Sequence, residues 1–170
     1  MQDDYDLSKL NQKDKRVNSR NKGNTFERKI AKMLNDRFGV KEFNRSPGSG
    51  AYATTHNLPE HLKIHGDLIT PKDFKFCIEC KKGYNKENIY SLLDYSSDFW
   101  GFIEQCEKDS EKSYKVPLVL YQQDRRAILA ITRANNFEQS IPHIRIKKEH
   151  EYDIYNLNDI LGASTVSWFL

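Results

Sequence analysis

The sequence predicts an α/β protein, a mixed central sheet flanked by helices, and three patterns carry that expectation. Phe26, Ile30, Met33, Leu34 and Phe38 recur at the spacing of one helical face. Phe74-Lys-Phe-Cys-Ile-Glu-Cys-Lys-Lys82 alternates with the period of a strand. Val116-Pro-Leu-Val-Leu-Tyr121 and Ala127-Ile-Leu-Ala-Ile131 are apolar runs suited to a sheet interior. At 170 residues and 38% apolar content the chain suits one core. That domain is expected over residues 23–170, behind a polar, partly disordered arm at 1–22 whose composition cannot offset the entropy of ordering it.

Taken in order, the first helix is expected to start at Asn24 or Thr25, either of which can cap it, and Gly39 closes it. Glu27 then falls in the first turn, beside the buried stripe, where a carboxylate also suits the helix dipole. Lys41 to Arg45 reads as a short strand, and Ser46-Pro-Gly-Ser-Gly-Ala51 as a turn rich in backbone N–H groups free to face an anion. Tyr52 to Lys63 is loop-like. Gly66-Asp-Leu-Ile-Thr70 reads as a strand, and Pro71-Lys-Asp73 turns it into the Phe74–Lys82 strand, so that a carboxylate-bearing hairpin sits near the middle of the sheet. Asn85 to about Glu111 is helical in pattern, and Gln122–Arg125 joins the two apolar strands. His143-Ile-Arg-Ile-Lys147 alternates like an edge strand, and the apolar Val166-Ser-Trp-Phe-Leu170 must pack against its own core or a second subunit.

Composition excludes some classes. The hydrophobic stretches are too short for a membrane-spanning helix, and the acidic start Met1-Gln-Asp-Asp-Tyr-Asp is unlike a signal peptide. Three cysteines do not make a disulfide framework and point to a reducing compartment, with the cytoplasm (a host's, if phage-encoded) as the expectation. Cys77 and Cys80 face opposite sides of a strand, and no second cysteine pair completes a zinc site. A net charge of +3 and a pI near 8.6 favour a polyanionic partner without proving one.

The chemistry concentrates on the alternating strand. Glu79 and Lys81 share one face, opposite Phe74, Phe76, Ile78 and Cys80, and Asp67 can bring a second carboxylate to the same space. Two carboxylates beside an ammonium suit a divalent cation and a phosphodiester, which makes a metal-dependent nuclease the leading reading. Alone, Glu-x-Lys is ordinary strand alternation facing solvent. Its company of Glu27 on a preceding helix and a basic Gly-Ser turn is what lifts it.

Gly23-Asn-Thr-Phe-Glu27-Arg28, Arg45-Ser-Pro-Gly-Ser49-Gly50, Gly66-Asp67 and Ile78-Glu79-Cys80-Lys81 stand in an order that resembles the PD-(D/E)xK nuclease superfamily. Within it, they resemble the archaeal and phage Holliday-junction resolvases. The resemblance runs from about Lys22 to Ile131, with Gly66 where the pattern usually has proline. It implies a restriction-endonuclease-like fold, with Mg²⁺ (or Mn²⁺ in its place) held by Asp67, Glu79, the Cys80 backbone carbonyl and Glu27. It implies that Lys81 orients the attacking water and that Ser49 approaches the scissile region. It further implies that Arg28, Arg45, Gly48, Ser49, Gly50, Lys82 and Gln105 meet DNA, and that cleavage leaves a 5′-phosphate and a 3′-hydroxyl. Symmetric cutting of a four-way junction needs two active sites, so a homodimer is implied as well.

Two other readings stay open: a restriction- or repair-type endonuclease on flaps, nicks or duplex DNA, and a DNA-binding module without chemistry. The retained carboxylates speak against the second, since like charges repel unless a cation lies between them. Tyr84, Tyr90 and Tyr95 could stack on unpaired bases, with packing as their ordinary role. His56, His61 and His65 suit solvated or phosphate-adjacent roles better than metal ligation.

Overall fold

The structure is a computed structural model of the chain and describes residues 19–47, 65–164 and 167–170. Helix α1 (Ser19–Phe38) buries Phe26, Ile30, Ala31 and Leu34 along the predicted stripe and ends before Gly39, whose φ of +68° is the left-handed conformation that terminates helices. Its start corrects the expected cap. Asn24 and Thr25 lie inside the helix, because the turn ahead of them has a tertiary anchor in the ion pair of Lys22 with Asp124 at 3.3 Å. Asn35 then fastens the chain beyond the helix: its side chain donates to Phe43 O and accepts from Phe43 N.

Strands β1 (Asn44–Arg45) and β2 (Leu68–Ile69) form a two-stranded antiparallel sheet. The main sheet comprises β3 (Phe76–Lys82), β4 (Val116–Gln122), β5 (Leu129–Arg133), β6 (His143–Lys147) and β7 (Glu151–Asn156), in the order β3-β4-β5-β7-β6. β3 and β4 are parallel and every other neighbouring pair is antiparallel. Parallel neighbours need a crossover, here α2 (Ile89–Leu93) and α3 (Asp98–Ser113). The single long helix expected there is broken at Asp94–Ser97, where Ser97 caps α3 by accepting from Phe99 N.

The sheet separates two cores, as side-chain alternation requires. On one face Phe76, Ile78, Leu118 and Leu120 pack with Phe26, Ile30 and Leu34 of α1, with Ile160 of α4 (Leu157–Gly162), and with Trp168. On the other face Val119, Tyr121 and Ile131 meet Phe99, Trp100, Ile103 and Cys106 of α3. This is a mixed sheet flanked by helices, the restriction-endonuclease-like class that the sequence predicts. The C-terminal Trp168 packs into the chain's own core, and Phe169 bridges to Phe74.

Strand β3 is an edge of the main sheet, not its middle, and its ladder partner is β4 rather than the Asp67 segment. β2 is too short for a second ladder and spends its pairing on β1. The segment before β2 instead lies along the open edge of β3 through Asp67 N–H donating to Ile78 O at 2.8 Å. β7 and α4 were not legible as elements in the sequence. His143–Lys147 is the edge strand expected.

Candidate active site

Gly66 controls how the Asp67 segment meets β3. Its φ is +78°, and a Cβ there would stand 2.7 Å from Ile78 O and 3.0 Å from Cys77 Sγ. Only glycine allows the two backbones so close, which explains why no proline precedes Asp67. Ser46 holds the same segment from the other side, its N–H donating to Asp67 O at 2.9 Å and its hydroxyl to Gly66 O at 3.1 Å. Asp67 is buried, and its Oδ2 accepts from Cys80 N at 2.8 Å. The carboxylate is thereby aimed across the edge of β3 at the Cys80 peptide.

Glu79, only 3% exposed, points to the α3 side of the sheet with Lys81. Lys81 Nζ lies 2.6 Å from Glu79 Oε1 and donates to Gln105 Oε1 at 3.0 Å from α3. The same ammonium sits 5.2 Å from the centre of the Phe102 ring. Burial raises the Glu79 pKa, the neighbouring Asp67 charge raises it further, and Lys81 only partly offsets both, so that it stands at about 7. Burial alone would lower the Lys81 pKa, but Glu79, then Asp67 and Tyr84, overcome it and raise it. Two carboxylates and the Lys81 ammonium thus share the pocket, and the carboxylates repel each other.

The remaining predicted residues divide between two places. Glu27 is buried in the body of α1 rather than in a first turn, so a helix-dipole role does not apply; its Oε2 pairs with Arg45 Nε at 2.5 Å. Arg28 is exposed on the same helix and lines a groove with Arg45. Lys82 turns to the other face of β3, above the Phe26 ring, and donates to Gln122 Oε1 at 3.0 Å. It also stands 3.6 Å from Asp124, a carboxylate in the β4–β5 turn that Lys22 and Asn85 share. Asp124, Ser46 and Phe102 fall in segments that the sequence marks only as turns and a helix face, and their contacts at the site have no sequence signal because their partners are distant in the chain. Gly48, Ser49 and Gly50 lie outside the described residues, as do His56 and His61.

Among the described residues, no three His, Cys, Asp or Glu side chains gather as an ion-holding group. The structure brings together Asp67, Glu79, Lys81 and Gln105 with the Cys80 peptide, and pairs Glu27 with Arg45 nearby in the fold through Ser46. Cys77, Cys80 and Cys106 are free and buried. No helix among the described residues is long and apolar enough to cross a membrane.

Comparison with known proteins gives the same direction. Protein D14 of Escherichia phage T5 is similar, 32% identical over 117 residues that make up 64% of this chain and 67% of that protein. No solved structure matches. The family described as "Phage putative PDDEXK endonuclease" matches residues 18–164, a span that contains Glu27, Asp67, Glu79 and Lys81. With its mixed sheet and the Asp67 and Glu79-x-Lys81 arrangement, the chain belongs to this phage PD-(D/E)xK family, and it is a nuclease.

Proposed function

We propose that the protein is a Mg²⁺-dependent DNA endonuclease that selects branched structure, a Holliday-junction resolvase above all. The observation that carries the metal-dependent part is the buried Asp67–Glu79 pair, two carboxylates close enough that the Asp67 charge raises the Glu79 pKa, with Lys81 beside Glu79. Mg²⁺ takes one or two carboxylates and fills its remaining positions with water and phosphate oxygens, so two carboxylates and the Cys80 carbonyl fit it, and Mn²⁺ fits the same ligands. Bound there, the ion would supply Lewis-acid stabilisation of the phosphate and a water of lowered pKa.

The chain's own groups have the following parts. Asp67 and Glu79 would hold the cation, with the Cys80 carbonyl beside them. Lys81, kept charged by Glu79 and oriented by Gln105, donates to the attacking water or to a non-bridging oxygen as charge develops there. Glu27 holds Arg45, which grips a phosphate; were a second ion bound, Glu27 would be its ligand. Arg28, Lys82, Gly48, Ser49 and Gly50 are assigned to the DNA backbone and Gln105 to the site rim, as the sequence suggested. A 5′-phosphate and a 3′-hydroxyl result. Two such sites in a homodimer would cut a four-way junction symmetrically. The nuclease domain takes in the whole of α1 from Ser19 and the sheet that follows it, and the host cytoplasm is the place of action.

The test is cleavage of an end-labelled four-way junction beside a linear duplex of the same sequence, in Mg²⁺, Mn²⁺ or EDTA. Paired nicks confined to the junction, and lost in EDTA, are the expected result. Equal cutting of the duplex would remove the branch selectivity. Tight binding without cutting in either metal would remove the catalytic assignment.

A further inference from the structure

We infer that Tyr84 is a specificity-determining residue whose ring stacks on an unpaired base beside the scissile phosphate, so that DNA with a branch or an unstacked step is favoured over continuous duplex. The inference rests on the nuclease reading of the Lys81 site, and goes beyond it by naming a contact that reads substrate form.

Three observations meet at this residue. First, its place: the Tyr84 ring packs edge-to-face on Phe102, with centroids 4.6 Å apart, and Phe102 is the ring under the Lys81 ammonium. Second, its backbone: Tyr84 has φ +51° and follows Gly83 at φ +99°, a left-handed conformation that a side-chain-bearing residue adopts only under strain. That conformation is held firmly. Tyr84 O accepts from Glu87 N at 3.1 Å and from Tyr121 Oη at 3.0 Å, while Gly83 N donates to Gln122 O at 3.0 Å. Third, its exposure: Tyr84 remains 44% exposed despite these ties. A large ring, fixed at its backbone, open to solvent and one ring away from the Lys81 ammonium is an arrangement on which nucleic-acid bases stack.

Positive φ alone would not single it out, because Tyr95 and Tyr114 share it. Tyr114 is the left-handed cap that ends α3, and Tyr95 packs on Trp100 and donates to Lys147 O. Each of those has a structural use that accounts for its conformation, and neither touches a residue of the Lys81 site. The surroundings of Tyr84 also suit a polyanion: Lys81 and Lys82 precede it and Lys86 is exposed just after it. Stacking needs a base that is out of its own stack, so intact duplex cannot use the ring and a branch point can.

The experiment uses a four-way junction with 2-aminopurine at the nucleotides flanking the branch, titrated in EDTA so that binding is read without cleavage. Wild type and Tyr84→Phe should quench the probe equally, since stacking does not need the hydroxyl. Tyr84→Leu keeps the apolar contact with Phe102 and should lose the quenching, with about tenfold weaker junction binding, the scale of one lost base stack. Its affinity for linear duplex should match wild type, which a folding defect would not allow. Quenching by Tyr84→Leu equal to wild type, or no quenching by wild type, would overturn the proposal. A failure of wild type to cleave any DNA in Mg²⁺ or Mn²⁺ would instead overturn the nuclease mechanism proposed for the Lys81 site, and that outcome is read in a separate assay.

Discussion

Two buried carboxylates on the same sheet behave in opposite ways. Glu79, on the edge strand β3, is pushed up to about 7 by burial and by Asp67, with Lys81 only partly offsetting them. Asp153, fully buried on β7, is held down at about 2. Burial would raise Asp153 too, but it accepts from Arg145 at 2.7 and 3.0 Å, from Asn135 N at 3.0 Å and from Gln139 at 3.3 Å. His143 lies 3.8 Å away and Tyr155 Oη 3.2 Å away. Asp153 has every acceptor position met by the fold, so it needs nothing from outside. Glu79 shares its space with a second negative charge, and a cation is what would relieve it. A buried acid with a complete set of donors is architecture, and one crowded against a second carboxylate is a place for a ligand.

Exchanging each acid for its amide should separate the two roles most widely. Glu79→Gln removes a proposed ligand while lifting like-charge repulsion, so DNA cleavage should fall by about 10³-fold or more while the melting temperature at pH 8 stays equal or rises. Unchanged cleavage would take Glu79 out of the chemistry. Asp153→Asn removes the buried carboxylate that Arg145, Asn135 N and Gln139 all donate to, and should lower stability in urea unfolding at pH 7, with cleavage by the folded fraction unaffected.

The two acids also carry opposite pH signs. Asp153 has a folded pKa below its unfolded value of 3.8, so its stabilisation is present above that value and fades as pH falls toward 2. The Asp153→Asn deficit should therefore shrink in acid. Glu79 has a folded pKa above its unfolded value of 4.5, so its contribution is present below that value and is lost as pH rises toward 7. Glu79→Gln should gain on wild type over that same window. Matching pH profiles for the two amide variants would refute the contrast.

A smaller effect should come from the close approach that serves only the catalytic end. Gly66→Ala places a Cβ 2.7 Å from Ile78 O at a φ of +78°. It should cost about 1–3 kcal/mol and reduce cleavage by shifting Asp67 away from the Cys80 peptide. A variant as stable and active as wild type would show that the segment can back away from β3 freely.

The two ends also differed in how far sequence alone could read them. Glu79 and Lys81 were legible because a strand's period of two puts them on one face whatever the strand's neighbours are. The stripe on α1 was legible for the same reason at period 3.6, although the helix start was not, since Lys22 finds its reason in Asp124 far along the chain. At the other end, Asp153 interrupts the apolar pattern of β7, and its burial makes sense only with Arg145 and Gln139 in place. β7 and α4 were missed accordingly. The order of strand, short turn and strand predicts a hairpin that puts β3 near the middle of the sheet, whereas the short Gly66–Asp67 segment, not a full strand, covers its edge. The Glu27–Arg45 pair and the seating of Tyr84 on Phe102 depend on tertiary contacts and had no signature in spacing.

The central claim is that the Glu79 pocket, where two carboxylates crowd together, is where a divalent cation binds and that the Asp153 cluster is not. Calorimetric titration of Mn²⁺ into wild type, Glu79→Gln and Asp153→Asn at pH 8, without DNA, tests it most directly. The account predicts saturable binding to wild type and Asp153→Asn, abolished in Glu79→Gln, and weakening in wild type as pH drops below about 7 and a proton takes the ion's place. Equal binding by wild type and Glu79→Gln would contradict it.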